Sequence, residues 1–302
     1  MSDTLASLRH KIDGAGDLKS VVRSMKALAA SSIGQYEKSV LALTDYYRTV
    51  ELGLAVCLRK HGRADAEQRI QKPAATKTVS AVVFGSDQGL VGQFNDVLAD
   101  FVVKVLGGLP GEKKVCAVGE RIHARLTDAG LAPVGLFAVP TSVNAITPLV
   151  GQLLIESEAH HCRGETGQLY LFHNSPRSGA TYEPISQHLL PLDAQWGLRL
   201  ARLPWPTKNL PEVIGDQEQT LSALVREYLF VSLFKACAES LASENASRLA
   251  AMQRAEKNID ELVGDLNQQF RRLRQTSIDE ELFEVLAGYE SLSKEKPRRG
   301  MK

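Results

Sequence analysis

The chain has 302 residues, 44% of them hydrophobic and 24% charged, with a formal net charge of +1. That length supplies a sizeable core and one large or two modest domains, while the near-neutral balance excludes global attraction to nucleic acid or anionic lipid. Cys57, Cys116, Cys162 and Cys237 are far apart and form no C-x-x-C, which suits reduced thiols and argues against a disulfide framework.

The chain starts Met1-Ser2-Asp3-Thr4 and reaches Arg9, His10 and Lys11 without an apolar segment, so no secretory signal is expected. Residues 2–60 contain no proline. Within them Leu18, Val22, Met25, Ala29, Ile33, Tyr36, Val40, Leu43, Tyr47, Val50 and Leu54 recur in steps of three and four. The mean step is about 3.6 residues, which predicts an amphipathic helix with little supercoiling. Gly14 and Gly16 each weaken helix by about 1 kcal/mol, so a bend is expected there. Residues 61–77, with Gly62, Arg63, Asp65, Lys72, Pro73 and Lys77, read as a polar linker.

A composition shift follows. The branched apolar run 78–84 predicts a buried strand, and 92–106 a helix. Further strands are expected at 114–118, 134–139 and 168–173, helices at 120–129 and 145–160, and an edge strand at 182–190. Strands alternating with helices indicate a mostly parallel sheet covered on its faces. Pro204, Pro206 and Pro211 then mark the exit into a second proline-free stretch, 212–296. Its stripe runs through Leu221, Leu224, Tyr228, Leu241, Asn245, Leu249, Met252, Ile259, Leu262, Leu266, Phe270, Leu273, Ile278, Leu282, Val285 and Tyr289. A helix of about 70 to 75 residues would extend roughly 110 Å, several times the diameter of a small domain. The apolar run 228–242 is interrupted by Lys235 and Glu239 and is too short to cross a bilayer. Small residues at Ala246, Ala250, Ala251, Ala255 and Gly264 permit close helix approach.

These elements predict an α/β fold in which an antiparallel coiled coil of long N- and C-terminal helices carries an inserted, mostly parallel α/β (Rossmann-like) domain. The expected division is 1–60 coiled-coil helix, 61–77 linker, 78–211 α/β domain, 212–294 coiled-coil helix and 295–302 basic tail. An ordinary intramolecular coiled coil would satisfy the periodicity alone.

Few residues suggest chemistry. The glycines of the loop after the first strand stand at 85, 89 and 92, so the loop matches neither G-x-G-x-x-G nor G-x-x-x-x-G-K-[ST] and nucleotide binding is not expected. His160, His161 and Cys162 are adjacent on a helix end and point apart, which opposes a tetrahedral metal site. Ser175 with His173 and Asp193 lacks any nucleophile-elbow pattern. No catalytic residue, cofactor or metal is expected. Asp279, Glu280, Glu281 and Glu284 form an acidic face, open to solvent or to a partner. Arg271, Arg272, Arg274 and Gln275 precede it, and guanidinium groups there suit a bidentate grip on an acidic surface, with salt bridging inside the coil as the alternative. Residues 296–302 read as a solvated end.

Three stretches carry a resemblance. Arg23-Ser24-Met25-Lys26-Ala27-Leu28-Ala29-Ala30-Ser31 is similar, in Met25 and the Ala-Ala-Ser end, to T-x-A-M-x-M-V-A-A-S. The loop residues Ser86, Asp87, Gly89, Leu90, Gly92, Phe94 and Asn95 follow S-D-R-G-L-C-G-x-F-N. Arg274, Gln275, Ile278, Glu281, Leu282, Glu284, Val285, Gly288 and Leu292 follow A-R-Q-x-x-I-T-x-E-[LI]-x-E-[IV]-x-x-G-A-x-x-L. Over nearly its whole length the chain thus resembles the gamma subunits of F-type rotary ATP synthases. Gln88, Val91, Asp279 and Tyr289 depart from the motifs, which suggests a divergent branch such as the gamma subunit of an alternative, second-operon ATPase.

The resemblance implies a non-catalytic central-stalk rotor that couples ion flow to ATP synthesis or hydrolysis, without a cofactor and in one copy per complex. The implied partners are the alpha and beta subunits around the helices, and the epsilon subunit and the ring of c subunits at the α/β domain. Membrane contact would come only through the c-ring, on the cytoplasmic side of the inner membrane. The choice of proton or sodium ion belongs to the c subunits. Arg274 and Gln275, with Ile278 and Glu281 beside them, would meet the beta subunit's catch loop, and Met25 and Lys26 would lie near beta's acidic lever. Ser86, Asp87, Gly89, Leu90, Gly92, Phe94, Asn95, Glu284 and Gly288 would serve structure. The competing reading is a static coiled-coil scaffold with a ligand-binding α/β insert, and a dehydrogenase-like enzyme is opposed by the missing phosphate fingerprint.

Overall fold

The computed structural model describes residues 4–60, 78–162, 167–177, 181–192, 196, 200, 202–209 and 211–294. The expected linker 61–77, Asp193 and the basic tail lie outside the described residues, as do the side chains of His160, His161, Cys162 and Leu292. In chain order the elements are α1 (Leu5–Lys60), β1 (Thr78–Phe84), α2 (Phe94–Gly107), β2 (Glu112–Val118), α3 (Glu120–Asp128), β3 (Gly135–Phe137), α4 (Ile146–Cys162), β4 (Gln168–Arg177), β5 (Thr181–Leu190) and α5 (Gln217–Lys294), with a 3-10 turn at Val143–Ala145 before α4.

The strands form one sheet in the order β3-β2-β1-β4-β5. β1 runs parallel to β2 and β4, β2 runs parallel to β3, and β5 closes the far edge antiparallel to β4. Alternation along β1 decides how the faces are filled. Val79, Ala81 and Val83 join Leu98, Val102 and Leu106 of α2 and Ile122 and Leu126 of α3 in one core. Val82 and Phe84 point the other way, into a second core with Ile146, Val150 and Leu153 of α4 and with apolar residues of α1 and α5. With both faces covered, burial of each such side chain contributes about 1.5 to 3 kcal/mol.

Residues 28–251 form one compact unit, and residues 1–27 with 252–302 form another. In both, α1 runs antiparallel to α5. In the first-named unit, the Tyr46 hydroxyl donates to Glu227 Oε1 at 2.7 Å and Gln217 Nε2 donates to the Cys57 carbonyl at 3.1 Å. In the other, Lys19 pairs with Asp260, and Arg23 and Lys26 pair with Glu256.

One expectation for α1 is corrected. The helix passes through Gly14 and Gly16 without a break, because Ala15 between them is buried against a partner and packing offsets the glycine cost. The expected stripe is the covered side of the helix, with Leu18 alone of its residues exposed, and its most buried members show a finer period. Leu8, Ala15, Val22, Ala29, Tyr36 and Val50 fall on a strict seven-residue repeat, with Leu43 half-buried between the last two. A seven-residue repeat is the seam of a supercoil, and Leu18 lies off it, 59% exposed.

The stripe on α5 also ends early. From Lys19 back to Leu5, where α1 begins, is 14 residues, and 14 residues on from its partner Asp260 is Arg274. Beyond that point α5 has no helix opposite it among the described residues. Ile278, Leu282, Val285 and Tyr289, the last residues of the stripe, are exposed, as are Phe283 and Leu286.

Candidate functional site

The carboxyl ends of β1 and β2 lie level, with Phe84 in register with Val118, while β4, with Phe172 beside Val83, runs on past them to Arg177. The conspicuous loop leaves from this edge. Gly85 has no room for a side chain, since a Cβ would sit 2.3 Å from that of Ile122. Ser86, fully buried, donates its N–H to Asn95 Oδ1 at 3.1 Å and its hydroxyl to the Gln88 carbonyl at 3.0 Å, while Asn95 Nδ2 donates back to Ser86 Oγ at 2.8 Å. The loop is thereby closed on itself.

Asp87 spends both carboxylate oxygens on neighbouring loops. Oδ1 accepts the Glu120 N–H at 3.0 Å and Oδ2 the Val139 N–H at 2.9 Å. Because Gly119, at the N-cap of α3, has no side chain to cap with, Asp87 supplies the acceptor and the favourable negative charge from outside the helix. Leu90 and Gly92 take left-handed φ angles of 63° and 61°, which turn the chain into α2. Phe94 is buried and meets Tyr182 edge-on at 5.2 Å. Gly89 has ordinary φ, and a Cβ there would meet only the end of the Arg121 side chain at 3.7 Å, so nothing in the fold demands glycine.

In open α/β sheets the crevice beyond the carboxyl ends, where strand order switches between β1 and β4, is the usual ligand position. Here α5 fills it. The hydroxyls of Ser240, Ser243 and Ser247 donate to the carbonyls of Phe84, Asn174 and Val91, at 3.0, 3.0 and 2.5 Å. Asn174 Nδ2 donates to the Phe94 carbonyl at 3.0 Å. Glu239 bonds His173 Nε2 at 2.9 Å and accepts from Ser175 Oγ at 3.1 Å. Burial alone would push the Glu239 carboxyl up, but His173, Lys235 and Ser175 outweigh it and hold it below the usual carboxylate range. For Glu244 burial prevails over Arg248 at 2.7 Å and raises it. Glu239 and the three serines were missed by sequence reasoning. Their one signal was a run of hydroxyls at three- and four-residue steps inside an apolar stretch.

The helix-borne candidates fall in two places. Met25 and Lys26 are half-buried on α1, and Lys26 Nζ reaches Glu256 Oε2 at 2.5 Å while Arg23 Nε reaches Oε1 at 2.8 Å. Hydrogen bonds from Lys26 and Arg23 hold the Glu256 carboxyl down to about 2. A carboxyl depressed in the folded state contributes stability that is present above its ordinary value and lost as pH falls through its folded value. Thermal unfolding of the chain should therefore show stability falling from about pH 4.5 toward pH 2, and Glu256→Gln should remove part of that dependence.

Arg274, Gln275, Ile278, Glu281, Glu284 and Gly288 lie together on α5, all exposed. The structure does not bring them to Met25 or Lys26. Among the described residues no carboxylate pairs with Arg271, Arg272 or Arg274, which removes salt bridging within the coil as their explanation. Arginines, carboxylates and the apolar side chains of Leu282, Phe283, Val285, Leu286 and Tyr289 thus share an exposed stretch of helix.

Proteins named ATP synthase gamma chain align end to end with this chain. That of Anaeromyxobacter dehalogenans (strain 2CP-1 / ATCC BAA-258) is 26% identical, over 96% of this chain and 99% of the relative. That of Geobacter metallireducens is 27% identical over the same shares. The family model described as ATP synthase matches residues 4–292. The chain belongs to the ATP synthase gamma family. Solved members of rotary ATP synthases share its fold. A chain of the Euglena gracilis mitochondrial ATP synthase (OSCP/F1/c-ring, rotational state 3) superposes with a TM-score of 0.63 at 13% identity, covering 99% of this chain and 98% of that one. A chain from the Tetrahymena thermophila mitochondrial ATP synthase central stalk and c-ring gives 0.55 at 20% identity, covering 78% and 99%.

Proposed function

We propose that this chain is the central-stalk gamma subunit of an F-type ATP synthase, coupling ion translocation through a c-ring to ATP synthesis or hydrolysis in a ring of alpha and beta subunits. The observation that carries this reading is the exposed stretch of α5 from Arg274 onward, where Ile278, Leu282, Phe283, Val285, Leu286 and Tyr289 are uncovered and Arg274 has no carboxylate partner among the described residues, although the sequence patterns the stretch for contact. In this reading Arg274, Gln275, Ile278 and Glu281 grip the beta subunit, and Met25 and Lys26 lie where beta's lever passes. The epsilon subunit and c-ring meet the α/β part, taken as 78–211, while helices 1–60 and 212–294 form the axle, with 61–77 a linker and 295–302 a tail. One copy serves each complex. No described helix is long and apolar enough to cross a membrane, and in this reading the chain sits peripherally on the cytoplasmic side of the inner membrane through the c-ring. The scaffold alternative is not favoured, because α5 occupies the crevice of the sheet where an α/β ligand ordinarily binds.

Copurification tests the assignment: tagged chain brings down alpha and beta subunits, and a tag that retrieves neither sinks it. The contact residues have a separate test. Arg274→Ala with Gln275→Ala is expected to leave the stability of the isolated chain within about 0.5 kcal/mol, since both are exposed, while ATP-driven ion uptake by the assembled complex falls about tenfold. Uptake at the parental rate would remove the pair from the contact.

A further inference from the structure

The serine row of α5 asks for more than packing. A turning helix embedded in an apolar socket meets only non-directional contacts, which resist separation better than they resist angular drift. Ser240, Ser243 and Ser247 lie within about 60° of arc on one face of α5. Each hydroxyl is buried and donates to a backbone carbonyl: Phe84 at the end of β1, Asn174 on β4 and Val91 in the loop between β1 and α2. Those acceptors are fixed by the sheet and by the Ser86, Asn95 and Asp87 bonds that brace the loop. On the adjacent face Glu239 holds His173 and Ser175. Rotating α5 by one residue would break all three serine bonds at once and leave buried hydroxyls and carbonyls without partners, so one angular setting is favoured and its neighbours are penalised.

We propose that Ser240, Ser243 and Ser247 form an angular key, a set of positioning residues that locks α5 to the sheet so that torque passes between them without slip. The inference rests on the rotor reading. It explains why polar side chains stand in the most deeply buried part of α5, where apolar residues of similar size would pack as well.

The test uses the assembled complex in sealed vesicles, with Ser240→Ala, Ser243→Ala and Ser247→Ala combined, measuring ATP hydrolysis and ATP-driven ion uptake against a series of imposed opposing ion gradients. The expected result is hydrolysis within about twofold of the parent and ions moved per ATP at the steepest gradient lower by about threefold, the gap widening with load. A ratio equal to the parent's at every gradient overturns the key. So does an equal loss of hydrolysis and uptake at all gradients, which is the mark of a folding defect alone. Should the triple variant not assemble, the single Ser243→Ala variant is read by the same ratio and the same criteria. A parental complex that shows no ATP-driven uptake would instead defeat the rotor reading, leaving the two failures distinct.

Discussion

Gly119→Ala is expected to cost about 3 to 5 kcal/mol, enough to unfold much of the α/β part at moderate temperature. Two independent penalties meet at this position. Its φ of +118° is a conformation that side-chain-bearing residues rarely adopt, and an added Cβ would stand 2.7 Å from the Ser86 carbonyl oxygen and 2.9 Å from the Ser86 nitrogen. Neither neighbour yields easily. Ser86 is held through its own N–H by Asn95 and through its carbonyl by the Arg121 N–H, and the Gly119 N–H is committed to the Phe137 carbonyl at 2.8 Å. Denaturant unfolding checks the figure, and Gly89→Ala supplies the contrast. That residue has ordinary φ and its nearest neighbour is the end of the flexible Arg121 side chain, at 3.7 Å, so its replacement should shift stability by no more than about 0.5 kcal/mol. Any larger effect of Gly89→Ala should emerge only in the assembled complex.

Phe94→Ala comes next, at about 3 to 5 kcal/mol. The ring is fully buried against Tyr182, and the carbonyl of the same residue accepts from Asn174 Nδ2. Removing the ring leaves a cavity at the joint of loop, sheet and α5, where the backbone bonds prevent collapse. Thermal unfolding should show a large loss for alanine and a loss about half as great for Phe94→Leu, which keeps most of the volume. Equal, small losses for both would mean that the loop is not the anchor described.

Much of this is legible in the sequence. Thr78–Phe84 forms the strand its branched apolar residues predict, and β5 is the edge strand expected, with Pro184 tolerated in a strand at the sheet edge. Strand ends were less legible. β4 continues through Asn174, Ser175, Pro176 and Arg177 because β5 pairs with it that far, and a ladder needs backbone groups rather than apolar side chains. β3 is only Gly135–Phe137, shorter than its apolar flanks suggest, since pairing with β2 ends at Phe137. The seven-residue repeat was hidden by Ala15, which reads as a weak point between two glycines until its burial is seen.

At the site, the loop's residues stood out in sequence, but what the loop holds did not. Serine in a helix ordinarily signals a solvated or neutral position, so Ser240, Ser243 and Ser247 could be recognised only once three carbonyls from distant strands and loops were brought to them. Arg23 and Glu256 were likewise unreadable as a pair, being more than two hundred residues apart. The exposed end of α5 shows the converse. Its apolar stripe was plain, and the length of α1 shows where cover by a helix ends among the described residues.

Rotation itself is the most direct test of the central claim. A probe attached through Asp128→Cys, an exposed position at the end of α3, with the alpha and beta ring immobilised, reports motion of this chain during ATP hydrolysis. The account predicts unidirectional rotation that stops when ATP is withdrawn. A stationary probe on a complex that continues to hydrolyse ATP would contradict it.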